Sequence, residues 1–189
     1  MPAPRRSRLS AAITVAVVLG ATLVLPASAA NTITQTVNAG TRSASIADLS
    51  LGAVSYSHSA QTSTGTMVLT ADDSSGTGGG WNVTVLGSDF VYSGPNGGAN
   101  IPAANFSITS APAATATAGE PVNVVGGPKV PLTFSAPATL DVARKVLQAE
   151  LTFGEGTYTQ NLGVSLSIPA QSRAGTFTGT MTVTIGAGP

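Results

Sequence analysis

Gly78-Gly79-Gly80-Trp81-Asn82-Val83-Thr84-Val85 reads as a glycine turn that delivers the chain into a strictly alternating strand. Side chains point to opposite faces along a strand, so Trp81, Val83 and Val85 share one face and Asn82 and Thr84 the other. Trp81 is the single tryptophan of the chain. About a hundred residues on, the pattern recurs as Ala174-Gly175-Thr176-Phe177-Thr178-Gly179-Thr180-Met181-Thr182-Val183-Thr184-Ile185. There Phe177, Gly179, Met181, Val183 and Ile185 face one way, and Thr176, Thr178, Thr180, Thr182 and Thr184 the other. An apolar face backed by a threonine ladder is the pattern of an antiparallel sheet with core on one side and water on the other.

Outward from these two segments, strand signals alternate with turn residues, as in an all-β sandwich or barrel. Thr32 to Val37, Leu49 to Tyr56 and Thr66 to Thr70 each predict a strand, as do the short Phe106-Ser107-Ile108 and the run beginning at Tyr158. Leu162 to Pro169 alternates cleanly and predicts a hairpin or close neighbour of the final strand. Ser93 to Asn100 is a loop by its turn chemistry, and Ala111 to Gly127 a long surface excursion with at most a short strand. Asp141 to Glu150 is ambiguous. Val142, Ala143, Val146, Leu147 and Ala149 can line a helix, whereas Leu147, Ala149, Leu151 and Phe153 alternate as a strand. The missing closing cap favours the strand, and both readings stay open. The expected fold is all-β, a single antiparallel β-sandwich-like domain.

The first residues carry a different message. Arg5, Arg6 and Arg8 precede an apolar run from Ala11 to Leu25, and Ala27-Ser28-Ala29 is a small-x-small cleavage site. The run is about fifteen residues, short of the roughly twenty that span a bilayer, so residues 1–29 predict a cleaved signal peptide. Residues 30–189 then form the mature, secreted domain, with no membrane span expected in it.

Composition narrows the function. Charged residues make up 8% of the chain, and the total of 8 basic residues falls to 5 without Arg5, Arg6 and Arg8, against 8 acids. The mature net charge is therefore −3, and Arg42, Lys129, Arg144, Lys145 and Arg173 are scattered. Nucleic-acid binding needs a clustered basic footprint, which is absent. With no cysteine, stability must come from the core rather than from disulfides, and thiol chemistry is excluded. With 42% hydrophobic residues and little charge, the chain has the opposite of the disordered signature.

Val68-Leu69-Thr70-Ala71-Asp72 followed by Gly80-Trp81-x-Val83-Thr84-Val85 resembles the first signature segment of the WxL domain family. Val146-Leu147-Gln148-Ala149, Gly154-x-Gly156-x-Tyr158, Val164-x-Leu166-x-Ile168-Pro169 and Gly175 to Ile185 resemble the remainder, in the same order. Val83 stands where the family has leucine, and Val183 where it usually carries a second tryptophan. The resemblance implies a secreted bacterial surface protein that associates non-covalently with the cell wall, with peptidoglycan or another wall polymer as partner and other surface proteins beside it. It directs attention to Trp81, Asn82, Val83, Thr182, Val183 and Thr184 as candidate binding residues. A tryptophan can stack on a sugar or anchor a core, and the phase shared with Val83 and Val85 leans to the core. The competing class is a structural subunit of a fimbrial or spore-coat-like assembly, whose open edge accepts a neighbour's strand.

Residues with possible chemistry are few, and the expectation is no enzyme, no cofactor and no metal. Asp72-Asp73 before Ser74, Ser75 and glycines lacks the alternating acidic spacing of a calcium loop and reads as a solvated turn. His58, the sole histidine, lies among serines in Ser55-Tyr56-Ser57-His58-Ser59, with no nucleophile-elbow signature. Glu150 and Glu155 make a very weak glycosidase pair.

Overall fold

Trp81 to Gly87 and Met181 to Ala187, the two segments that dominate the sequence, lie side by side in one antiparallel sheet. The structure is a computed structural model, and it describes residues 33–189. The signal-peptide reading falls on residues outside this range. All the strands belong to the compact unit Val37–Pro189.

In chain order the strands are β1 (Arg42–Ile46), β2 (Gln61–Asp73), β3 (Trp81–Gly87), β4 (Val91–Ser93), β5 (Phe106–Ser110), β6 (Thr115–Gly119), β7 (Ala138–Thr139), β8 (Arg144–Ala149), β9 (Gly156–Ile168), β10 (Thr176–Thr178) and β11 (Met181–Ala187). A single 3-10 turn, Ala103–Asn105, precedes β5. The larger sheet runs β1-β2-β9-β5-β7, with β6 pairing the start of β9. The second sheet is β11-β3-β8, and β10 and β4 form a two-stranded ribbon. Every pairing is antiparallel.

Alternation decides the layering. Met67, Leu69 and Ala71 of β2 point inward beside Leu162 and Tyr158 of β9, and Trp81, Val83 and Val85 of β3 meet them in one core. β2, β3 and β9 thereby bury one face and leave the other toward solvent, and the threonines of β11 end outside. β8 departs from strict alternation. Its pairing with β3 slips by one residue between Val83 and Thr84, so that Val83 faces Leu147 and Thr84 faces Lys145. The bulge turns both Val146 and Leu147 inward, each with no exposed surface. The strand reading holds for Arg144–Ala149, but the expected continuation to Leu151 and Phe153 does not, because the chain turns at Leu151-Thr152 and leaves Leu151 exposed.

Five expectations change. Residues 33–37 form no strand, and Leu49 to Tyr56 belongs to no sheet, whereas β1 lies between them unforeseen. Its sequence, Arg42-Ser43-Ala44-Ser45-Ile46, is too polar to announce itself. The Tyr158 and Leu162 runs are one thirteen-residue strand, β9. The last strand is broken at Gly179-Thr180 into β10 and β11, which pair with different partners. Finally, β9 and β11 lie in different sheets rather than forming a hairpin, because β9 finds a thirteen-residue partner in β2.

Where β1 meets the end of β2, the Arg42 guanidinium lies 3.0 Å from the Asp73 carboxylate, which is almost wholly enclosed. Asp73 also accepts the Ser75 amide at 2.9 Å. Burial works to raise the Asp73 pKa, but the Ser75 hydrogen bonds and the adjacent Arg42 outweigh it and hold the carboxyl below its ordinary value. A carboxylate whose folded value is depressed stabilises the fold above its unfolded value and loses that stabilisation as pH falls through the folded one. Lowering the pH from about 7 to about 3 should therefore lower the urea midpoint of the wild type more steeply than that of an Asp73→Asn variant. Arg42→Ala, which strands the buried carboxylate, should cost about 3 kcal/mol at neutral pH in the same urea titration.

Candidate functional site

Trp81 enters β3 directly from a glycine whose backbone no side chain would fit. Gly80 has φ +63°, and a Cβ there would lie 2.7 Å from the Ala149 carbonyl oxygen. The indole is fully enclosed. Its Nε1–H donates to the carbonyl of Gly154 at 2.9 Å. Gly154 also has a positive φ, +83°, and a Cβ on it would come within 2.9 Å of the indole nitrogen. The turn that presents this carbonyl is held from behind, because one carboxylate oxygen of Glu120 accepts the amides of Gly154 and Glu155 at 3.0 and 3.2 Å. Tyr158 closes the set. Its ring centre lies 6.1 Å from that of Trp81, and its hydroxyl donates to the Glu120 carbonyl at 2.8 Å. Burial pushes the Tyr158 hydroxyl up to about 12, with the charges of Glu120, Asp73 and Glu155 adding to it, so it stays a donor throughout the physiological range.

The opposite face of the same sheet is open to solvent. In register, Thr184 lies across from Thr84, Thr182 from Leu86 and Gly186 from Asn82. On the other side of β3, Asn82 lies across from Gln148 and Thr84 from Lys145. Thr182 and Thr184 are exposed, and Asn82, Thr84, Lys145 and Gln148 are half-exposed. The result is an open panel of hydroxyls, amides and one ammonium on three hydrogen-bonded strands. Asn82 Nδ2 donates to the Gly188 carbonyl at 2.8 Å, which ties down the end of β11. At the β8 side, Lys129 pairs with Glu150 at 3.0 Å. The hydrogen bond from Lys129 holds the Glu150 carboxyl below its usual range, burial opposes it, and Gln148 and Lys145 assist.

The candidate binding residues therefore divide by face. Asn82, Thr182 and Thr184 belong to the open panel, while Trp81, Val83 and Val183 point toward the core, the first two with no exposed surface. Thr84, Lys145 and Gln148 complete the panel and escaped the sequence reading. Thr84 shares its alternation with Asn82 and could have been included. The β8 residues could not, because their pairing partner is not written locally.

The remaining candidates are occupied by structural bonds. Asp72 accepts the Thr157 hydroxyl at 2.6 Å and the Ser74 hydroxyl at 2.8 Å. Glu155 accepts the Gly78 amide at 2.7 Å. His58 is exposed and packs edge-on against Tyr56 at 5.2 Å. Among the described residues, no group of three His, Cys, Asp or Glu side chains could hold a metal ion. No helix among them is long and apolar enough to cross a membrane.

A family model described as WxL domain surface cell wall-binding matches residues 18–189. The chain belongs to the WxL domain family. A WxL domain is a surface cell-wall-binding module, which places the protein at the cell surface, on the wall. No curated protein and no solved structure matches the chain.

In this WxL domain, removing the indole N–H strands the Gly154 carbonyl in the core. Trp81→Phe should cost about 1–3 kcal/mol in urea unfolding. Gly154→Ala, which meets both an unfavourable φ and the indole, should cost at least as much.

Proposed function

We propose that this WxL domain holds peptidoglycan non-covalently through the outward face of the β11-β3-β8 sheet, as a secreted binding module without catalysis of its own. The observation that supports the reading is the in-register pairing of the two signature strands. It buries Trp81, Val83 and Val85 on one side and gathers Asn82, Thr84, Thr182 and Thr184 on the other. Glycan strands present hydroxyl and acetamido groups, which both donate and accept. Threonine hydroxyls rotate to either role, and the amides of Asn82 and Gln148 offer both at fixed positions. A hydrogen-bonded three-stranded scaffold holds these groups without further ordering, which limits the entropy lost on binding. Lys145 adds a cation suited to the carboxylates of stem peptides.

In this reading Trp81 acts from beneath the panel. It sets the position of β3 and makes no contact with the wall. Binding and stability should therefore separate. Thr84→Arg combined with Thr184→Arg adds bulk to one half-exposed and one exposed threonine that lie across from each other, and the like charges should cost about 1 kcal/mol of stability in total. The same pair should weaken co-sedimentation with purified sacculi at least about tenfold, equivalent to about 1.4 kcal/mol. A folded Trp81→Phe chain should sediment with sacculi as the wild type does. Unchanged sedimentation of the double arginine variant, or loss of binding by folded Trp81→Phe, would reject the panel as the binding face. Sacculi stripped of covalently attached polymers separate peptidoglycan from the other wall components as the ligand.

A further inference from the structure

The two sheets leave a seam. β1 is the edge of the larger sheet and β11 the edge of the smaller one, and the two edges run alongside each other. Past Ile46 the chain crosses the region without entering a sheet. Between it and the β10–β11 stretch lie two adjoining clefts, of about 660 and 720 Å³, which share Leu49, Leu51 and Phe90 in their walls. Core residues reach both of them, Ile101 and Leu166 in the first and Met67 and Phe106 in the second. A strand edge offers unpaired N–H and C=O groups, and apolar hollows beside it accept alternate side chains. This is the geometry that takes up an extended peptide.

The chain carries a segment of matching character. Ile33-Thr34-Gln35-Thr36-Val37 alternates as a strand should, yet it is in no strand, and Ile33 and Val37 stand 96% and 89% exposed. Four residues apart, they fall on one face of an extended chain with a spacing of about 13 Å. Folding back onto its own β1 is disfavoured. Gly40 and Thr41 already continue the ladder beside the end of β2, through Gly40 N–H to Ser75 O at 3.2 Å and Ser74 N–H to Thr41 O at 3.0 Å. A hairpin would have to turn at Asn38-Ala39. Two-residue hairpins need positive φ, for which alanine is poorly suited, and neither residue adopts it here.

We infer that the seam receives the Ile33–Val37 segment of a second copy of this chain, laid along the open edge with Ile33 and Val37 seated in the two clefts. Each copy both donates a segment and offers a seam, so the exchange builds reciprocal dimers, larger closed rings or open chains. The inference is independent of the wall-binding panel, which lies on the outward face of β3 and its neighbours.

The test uses the chain purified from culture medium, with mass spectrometry confirming an N-terminus that retains Ile33. A photo-crosslinking residue replaces Gln35 in a mixture of isotope-labelled and unlabelled chains. Crosslinks joining a labelled to an unlabelled chain within residues 46–57 or 176–183 are expected, together with oligomers that grow with concentration in sedimentation velocity. Ile33→Asp with Val37→Asp, at positions outside the core, should return the chain to monomer. Three results would each overturn the inference. They are a monomer at every concentration, crosslinks confined within single chains, and oligomers that persist in the double aspartate variant.

Discussion

The hydrogen bond from the Trp81 indole to the Gly154 carbonyl joins the two layers of this domain. Trp81 opens β3 in the smaller sheet, and Gly154 belongs to the turn that starts β9 in the larger one. A buried N–H without a partner is costly, so the indole can be enclosed only where that carbonyl stands. The carbonyl stands there because Glu120 holds the turn amides and Tyr158 holds Glu120. Four residues from three separate parts of the chain thus fix the height of β3 over β9. Everything outward of β3 inherits that position.

The panel proposed to bind the wall is one such consequence. Its groups are ordinary threonines, amides and a lysine, and none has a perturbed chemistry of its own. Their value lies in spacing, set by the strand pairing and kept by the clamp beneath. A chain with so few charges has little long-range field with which to select a partner. In the proposed reading, recognition rests on many short-range hydrogen bonds at fixed positions, which suits a repetitive, uncharged-to-zwitterionic polymer such as a wall glycan. The seam is a second consequence. With β9 engaged by β2, β5 and β6, β1 and β11 are left as terminal strands of their sheets and run beside each other.

Much of the local structure was legible in the residues. Trp81 to Leu86, Thr66 to Thr70 and Leu162 to Ile168 alternate because one face is core and the other is water, and all three are strands. The division of β11 into inward apolar residues and outward threonines also held. The errors share a cause. Leu49 to Tyr56 and Ile33 to Val37 alternate well, but alternation records suitability for a sheet and not the presence of a partner. Conversely, β1 is a strand because β2 lies beside it, not because Arg42-Ser43-Ala44-Ser45-Ile46 demands it. Val146-Leu147 looked helical because a bulge against β3 buries two neighbours in succession.

From the sequence alone came the all-β class, the inward face of each strong strand, the family, and the phase that put Trp81 with the core. Each of these rests on local periodicity or on residue type, which are written along the chain. Only the tertiary structure decided that β3 pairs β11 rather than β9 pairing β11, that Lys145 and Gln148 join the panel, and that the β1 and β11 edges run side by side. Backbone hydrogen bonds are the same for every residue, so a strand does not name its partner. The choice is made by how all the apolar faces can be buried at once, which is a property of the whole fold.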